Sequence, residues 1–250
     1  MKLGIQLYSV REQLEKDFCG TLAALQTMGF EGVEFAGQYG GLPPGETAAA
    51  LDAVGLTCCG LHADPASLMD PENPVYAYAA ALHTPFITVS CCGRDQLQHW
   101  NATIATLARV ATVVRSMGYR FTYHNHAPEL EVRDGQTLLD ALYAATPPSA
   151  VEAELDTAWV YAGGADPIET IRRHANRLPQ VHAKNYSREA GALREIGRGD
   201  LDFGPIVAAA RTAGVVWLIY ELDVSSIDDS LASARESSIR LRQWIGGVGR

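Results

Sequence analysis

Ionisable side chains end a series of otherwise apolar runs: Glu34, His62, His124 with His126, Glu154 with Asp156, His182 with Lys184, and Glu221 with Asp223. Such groups are rarely buried unless they are paired or bound to a metal. A run of Val, Ile and Leu that stops in His or Glu therefore needs an explanation. His124, Asp156, His182 and Glu221 follow one another at intervals of 32, 26 and 39 residues. Each interval is about one strand–helix unit of roughly 30 residues. Two imidazoles and two carboxylates at one level form a mixed nitrogen and oxygen set. That set suits Mn, Co, Zn, Fe or Mg better than a thiolate-seeking metal. Salt bridges at a rim account for any one of these residues. Four at one level on consecutive strands point to one shared divalent ion.

An ion beside a carbonyl and a neighbouring hydroxyl stabilises the enediolate left when the α-proton departs. A base must then stand within hydrogen-bond reach of that proton. Glu221 is the first candidate base. Lys184 and His62 are candidate catalytic partners, as acid or as stabiliser of the oxyanion. His124 reads as a ligand or, with the ion displaced toward the other three, as a base. Glu34 and His126 are candidates to hold substrate hydroxyls or to support the metal ligands. Arg198 stands between Gly197 and Gly199 and could clamp a phosphate or hydroxyl through its planar fork; a surface role is the alternative. His62 also has a plain reading, as a rim residue that bonds a neighbour. His83, His99 and His174 fall in helices or loops away from this set and read as structural.

The elements that must position these groups are legible as alternating short and long segments. Strands are predicted over Lys2–Tyr8, Gly32–Ala36, Thr57–Ala63, Phe86–Ser90, Arg120–His124, Val151–Asp156, Gln180–Lys184 and Val216–Glu221. Helices are predicted from Asp17 to Met28, ending at Gly29, and from Gln96 to Met117, ending at Gly118. Others start at Asp166-Pro167 and after Asp202, the latter stopping at Gly214, and the last runs from Asp228 to Trp244. Strands separated by helices pair in parallel through right-handed crossovers. Eight such units in 250 residues predict an α/β fold, a (β/α)8 barrel forming a single domain over residues 1–250. In that fold the C-terminal strand ends converge on one face. An open doubly wound sheet is the structural alternative.

Composition narrows the function. Hydrophobic residues make up 47% and charged residues 20%, enough apolar material for a large core without disulfides. The formal charge of −9 and the lack of a Lys/Arg run argue against nucleic acid, which attracts basic patches. The five cysteines, Cys19, Cys58-Cys59 and Cys91-Cys92, lack C-x-x-C spacing and read as small buried residues in a reducing compartment. Neighbours such as Cys58 and Cys59 point to opposite faces of a strand. The N-terminus turns polar too soon for a signal peptide, and no apolar run reaches the ~20 residues of a membrane span. A cytoplasmic protein with no membrane partner is the expectation, with a frayed tail over Gly246–Arg250.

The order of motifs resembles the xylose isomerase-like barrel superfamily, in its sugar phosphate isomerase/epimerase branch. The similarity is carried by Gly4-Ile5-Gln6-Leu7-Tyr8-Ser9-Val10, Gly29-Phe30-Glu31-Gly32-Val33-Glu34-Phe35 and Tyr123-His124-Asn125-His126 with Glu129. It continues in Glu154-Leu155-Asp156-Thr157, Val181-His182-Ala183-Lys184, Gly197-Arg198-Gly199-Asp200-Leu201-Asp202-Phe203 and Ile219-Tyr220-Glu221-Leu222-Asp223. The resemblance implies one divalent metal held by Asp156, His182, Glu221 and the strand-five residue. That residue is His124 here, where relatives carry Glu, although His-Asn-His forms also occur. In ketose 3-epimerases of the family two metal-bound glutamates each move a proton; with His124 in place that symmetry is broken. The resemblance thus implies a sugar, sugar phosphate or polyol isomerase or epimerase acting on a small carbohydrate. A lyase or dehydratase on a keto-sugar, keto-inositol or 3-keto-glycoside is the competing outcome. Superfamily members are often dimers or tetramers, which leaves a homo-oligomer open.

Two further readings come from other classes. An endonuclease IV-like repair enzyme needs three metals, more His and Glu ligands and a basic groove, which the charge does not favour. A non-catalytic ligand-binding barrel stays open because fold does not imply function and because of His124.

Overall fold

The computed structural model describes residues 1–90, 93–224 and 229–247. The readings made for Cys91-Cys92, for Asp228 as the start of the last helix and for the tail beyond residue 247 lie outside these residues.

Eight parallel strands close into a barrel. They are β1 (Lys2–Gln6), β2 (Gly32–Phe35), β3 (Thr57–His62), β4 (Phe86–Ser90), β5 (Arg120–His124), β6 (Glu152–Asp156), β7 (Gln180–Ala183) and β8 (Trp217–Tyr220). They stand in chain order round the ring, and β1 pairs with both β2 and β8, with Gly4 opposite Gly32 and Ile5 opposite Tyr220. Every predicted strand is present and the open sheet is excluded. The outer shell includes α1 (Phe18–Thr27), α2 (Pro44–Val54), α3 (Pro74–Ala81), α4 (Trp100–Ser116), α5 (Leu138–Ala145), α6 (Thr157–Ala162), α7 (Pro167–Arg173), α8 (Phe203–Thr212) and α9 (Ser230–Ile245).

Local chemistry sets the helix ends. Asp17, Asp166, Asp202 and Asp229 each accept a backbone N–H of the following turn, as N-caps do. Gly29, Gly118 and Gly214 take positive φ just past helix ends. The helix predicted from Gln96 to Met117 is broken. A short turn over Arg94–Gln98 ends at His99, whose φ of −105° and ψ of 47° are not helical, and α4 begins at Trp100.

Strand alternation sorts the side chains. Outward residues such as Val33, Cys58, Phe121, Leu155 and Val181 join the main core under the helices. Inward residues at the N-terminal end, Cys59, Phe86, Trp217 and Ile219, form a separate small apolar cluster. Arg120 lies over the Phe86 ring at 4.6 Å and pairs with Glu152 at that end. Above the apolar floor the interior turns polar, with Gln180, Thr88, Thr122 and Glu34 all fully buried. Cys58 and Cys59 do face opposite ways, as predicted. Between Val33 and Glu34 the β2–β3 register slips by one residue, which turns Gly60 toward Glu34. A Cβ at Gly60 would come within 2.3 Å of Glu34 Oε1, so only glycine leaves room for that carboxylate.

Candidate active site

The C-terminal strand ends bring together nearly all the predicted residues. His182, on β7, presents Nδ1 to Glu221 Oε2 at 2.8 Å and Nε2 to Glu34 Oε2 at 2.7 Å and Glu154 Oε1 at 3.1 Å. His124, on β5, presents Nδ1 to Glu154 Oε1 at 3.1 Å and Nε2 toward Asp156 Oδ2 at 3.7 Å. Each imidazole thus has one nitrogen tied to a deep carboxylate and the other turned to the outer cluster. Thr88 donates to Glu154 Oε2 at 3.1 Å and Gln6 to Glu34 Oε2 at 2.9 Å. His62 Nε2 sits between Glu154 (2.9 Å) and Glu34 (3.1 Å).

Among the described residues two groups of four have the mutual spacing of metal ligands: His124, Asp156, His182 and Glu221, and, deeper, His62, His124, Glu154 and His182, with ligand atoms within 4.8 Å of one another. The first is the set predicted from spacing. Ligands at about 2.0–2.2 Å from an ion leave their atoms at such separations. Asp156 Oδ1 caps α6 by accepting Trp159 N–H at 2.8 Å, while the fully buried Oδ2 has no hydrogen-bond partner. A buried carboxylate oxygen without a donor asks for a cation. Deeper, Glu154 meets both imidazoles and accepts from Thr88, and Glu34 meets His182 through Oε2 while its own Oε1 has no hydrogen-bond partner; the two carboxylates orient the imidazoles as carboxylates behind metal-bound histidines do. The outer set therefore fits one divalent ion.

Lys184 Nζ lies 3.0 Å from Glu221, 2.8 Å from Asp223 and 3.7 Å from Asp156. The predicted catalytic Lys184 is 1% exposed and does not border the cavity; it reaches it only through the two carboxylates. Of the two readings of Glu34, holding substrate hydroxyls or supporting the metal ligands, the geometry carries the second: Glu34 is fully buried, does not border the cavity and contacts His182 and His62. Arg198 takes the surface role that was its alternative reading. It forms a two-pronged pair with Glu236 of α9, at 2.9 and 2.7 Å, and does not line the cavity. His174 is structural as predicted, bonding Asp140 at 3.0 Å.

Burial and charge fix the protonation of the cluster. Burial alone would lower His182 and His62, but the Glu154 and Glu34 charges outweigh it; His182 rises well above its usual value and His62 to about 10. Burial and the nearby His182 hold His124 well below its usual value. Burial would raise Glu221, yet Lys184 and His182 keep it well below the usual carboxylate range. Asp156 is pushed up to about 7 by burial, against the pull of Lys184. Burial, then Lys184, pushes His126 down to about 4. Its buried Nδ1 has no partner.

A cavity of about 700 Å³ opens above the cluster, with Glu221, Asp223, His62 and His126 among its walls. Glu154 was visible in the sequence as a strand end but drew no role. Its spacing of two from Asp156 puts both on the interior face, and that was the available signal.

The family model for xylose isomerase-like TIM barrels matches residues 22–244, and the chain belongs to that family. Inosose dehydratases are similar to it. One from Geobacillus thermodenitrificans (strain NG80-2) is 26% identical over 167 residues, 59% of this chain and 54% of that protein. One from Geobacillus kaustophilus (strain HTA426) is 32% identical over 104 residues, 42% of this chain and 32% of that protein. The matches thus span about half the length of these curated relatives or less. The crystal structure of a sugar phosphate isomerase/epimerase from Parabacteroides distasonis ATCC 8503 superposes with a TM-score of 0.82 at 18% identity, covering 98% of this chain and 95% of that one. Among the described residues no helix is long and apolar enough to cross a membrane.

Proposed function

We propose that the chain is a divalent-metal-dependent lyase that removes the proton α to the carbonyl of a keto-sugar or keto-polyol and expels an oxygen substituent from the next carbon. The observation that carries this reading is an unlike pair at one cavity. Glu221, just past β8, faces Lys184 and His182, which keep its carboxyl well below the usual range, and His62, three strands round the ring on β3, meets Glu154 and Glu34 through Nε2 and Ser90 Oγ through Nδ1 at 3.3 Å; both line the same cavity. His124, Asp156, His182 and Glu221 would hold the ion, which when bound polarises the carbonyl and a neighbouring hydroxyl as a Lewis acid. Glu221 takes the α-proton. The electron pair of that C–H bond becomes the new C=C bond, the β C–O bond breaks, and His62 gives a proton to the departing oxygen. Atoms balance as loss of water or an alcohol. Lys184 positions Glu221 and keeps it ionised. His126, neutral and with an unmet nitrogen, bonds a substrate hydroxyl.

Epimerisation by two opposed bases fits less well, because the strand-five residue is His124 and both its nitrogens face carboxylates. Isomerisation or epimerisation with Glu221 and His62 as base and acid is the second reading. The deciding experiment incubates the Mn-loaded protein with an inosose and other keto-sugars in D2O. Elimination yields an unsaturated product lighter by the leaving group. Isomerisation yields a product of unchanged heavy-atom composition carrying deuterium. Glu221→Gln is expected to slow either by about 10²–10⁴-fold. Neither exchange nor product from a protein holding one equivalent of Mn would overturn the enzyme reading and favour a ligand-binding barrel.

A further inference from the structure

His124 and His182 belong to both strand-end groups and face both ways. His124 turns Nε2 toward Asp156 and Nδ1 toward Glu154; His182 turns Nδ1 to Glu221 and Nε2 to Glu154 and Glu34. A neutral imidazole has one lone pair and one N–H. Whichever nitrogen holds an ion, the other needs an acceptor. In the outer seat His124 Nε2 and His182 Nδ1 are the ligands, and Glu154 and Glu34 are the acceptors. The arrangement also works inverted. With the opposite tautomer on each ring, the lone pairs of His124 Nδ1 and His182 Nε2 point down. Glu221 Oε2 then accepts His182 Nδ1–H at 2.8 Å, and His124 Nε2–H faces Asp156 Oδ2, the buried oxygen without a hydrogen-bond partner.

Below the two rings lies a complete ligand set. Glu154 Oε1 is 2.9 Å from His62 Nε2, 3.1 Å from His124 Nδ1 and 3.1 Å from His182 Nε2. Four ligands placed tetrahedrally about 2.0–2.1 Å from an ion stand about 3.3 Å apart. The three contacts need to open by only a few tenths of an ångström. Thr88 donates to Glu154 Oε2 and so keeps Oε1 turned toward the rings. Glu34 Oε2, 2.7 Å from His182 Nε2 and 3.1 Å from His62 Nε2, brings a second carboxylate. Two negative charges then match one divalent ion, in a place where unpaired charge is costly.

The two seats differ in chemistry. The deep one offers three imidazoles and one carboxylate; His124, Glu154 and His182 are buried, and of the four only His62 borders the cavity. A closed, nitrogen-rich, four-coordinate set suits zinc. The outer one offers two imidazoles and two carboxylates, with Glu221 at the cavity. That richer oxygen share suits manganese or magnesium. An ion in the deep seat has no open position toward a substrate.

We infer that His62, His124, Glu154 and His182 form a second, buried seat for zinc that excludes an ion from the outer seat. The exclusion follows from the lone pairs. Each of the two shared rings has one, and filling both seats at once would strip the remaining N–H from both. The metal that loads the chain therefore decides whether an ion meets the cavity. The exclusion rests on the outer seat proposed above; the deep seat does not.

The test loads the metal-free chain with zinc alone or manganese alone and measures affinity, stoichiometry and, by X-ray absorption, the imidazoles round the ion. Wild type should hold one equivalent of zinc with three imidazoles; zinc in the outer seat would show two. Asp156→Asn keeps an oxygen to cap α6 and removes the outer charge. It should weaken manganese about 100-fold and leave zinc, with its three imidazoles, unchanged. His62→Gln should leave manganese affinity unchanged and lower the zinc count to two imidazoles. Two imidazoles round zinc in wild type, or zinc weakened as much as manganese in Asp156→Asn, would overturn the deep seat. Two equivalents of zinc bound together would overturn the exclusion. Manganese that fails to bind wild type would remove the outer seat, while three-imidazole zinc in Asp156→Asn would still support the deep one.

Discussion

The two oxygens of Asp156 do different things: Oδ1 ends α6 and Oδ2 faces the cluster without a donor. With its pKa near 7 and His182 raised well above its usual value, both residues carry protons near neutrality that a cation must displace. Both sites lose those protons as pH rises, so metal affinity should rise with pH. Mn titrations should give a Kd that falls steeply from pH 6 to pH 8, with protons released to the buffer. A Kd flat across that range would show that neither group is a ligand. The candidate ligand set was legible because four chemically fit residues recur once per strand–helix unit. What spacing could not give was depth. Glu34 and Glu154 share the interior face with the candidate ligands but lie lower, where they contact the imidazoles. Arg198, in a turn, looked like a clamp because its partner, Glu236, is 38 residues away on α9, and nothing local announces that pairing.

Helices and strands were legible to within a residue or two where caps and glycines punctuate them, as at Asp17 and Gly29 or Asp202 and Gly214. The break at His99 was not, since the apolar stripe of α4 carries through it. The β2–β3 slip was also invisible, because a bulge depends on pairing between two strands and not on either alone. That slip makes a sharp test. Gly60→Ala places a methyl against Glu34 Oε1 and near Gln180 Nε2, which should push Glu34 off His182. Metal affinity is expected to fall about 10–100-fold, the usual cost of losing a carboxylate behind a metal-bound histidine. Unchanged Mn binding in a folded variant would show that Glu34 does not orient His182.

Across the whole molecule, closure was the inference the sequence supported least directly. Eight strands are consistent with a barrel, but the β1–β8 pairing joins the two ends of the chain and has no local signature. Stability against acid is a property at this scale too. Burial holds His174 below its usual value despite Asp140 beside it, so the folded state favours the neutral ring. That contribution is complete above the unfolded value of about 6.5 and is lost as pH falls below it. Tm should therefore fall between pH 7.5 and 5, and fall less in His174→Gln. Equal slopes in the two proteins would remove His174 from the account.

The apolar floor of Cys59, Phe86, Trp217 and Ile219, with Arg120 and Glu152 beneath it, makes the interior a blind shaft. Whatever enters must leave by the same mouth. A seated ligand is then also a stopper, and everything below it is cut off from bulk water until the ligand departs. Among the described residues the barrel shows no back door, so under the proposed reaction a hydron lifted from the substrate and the released product would compete for one exit.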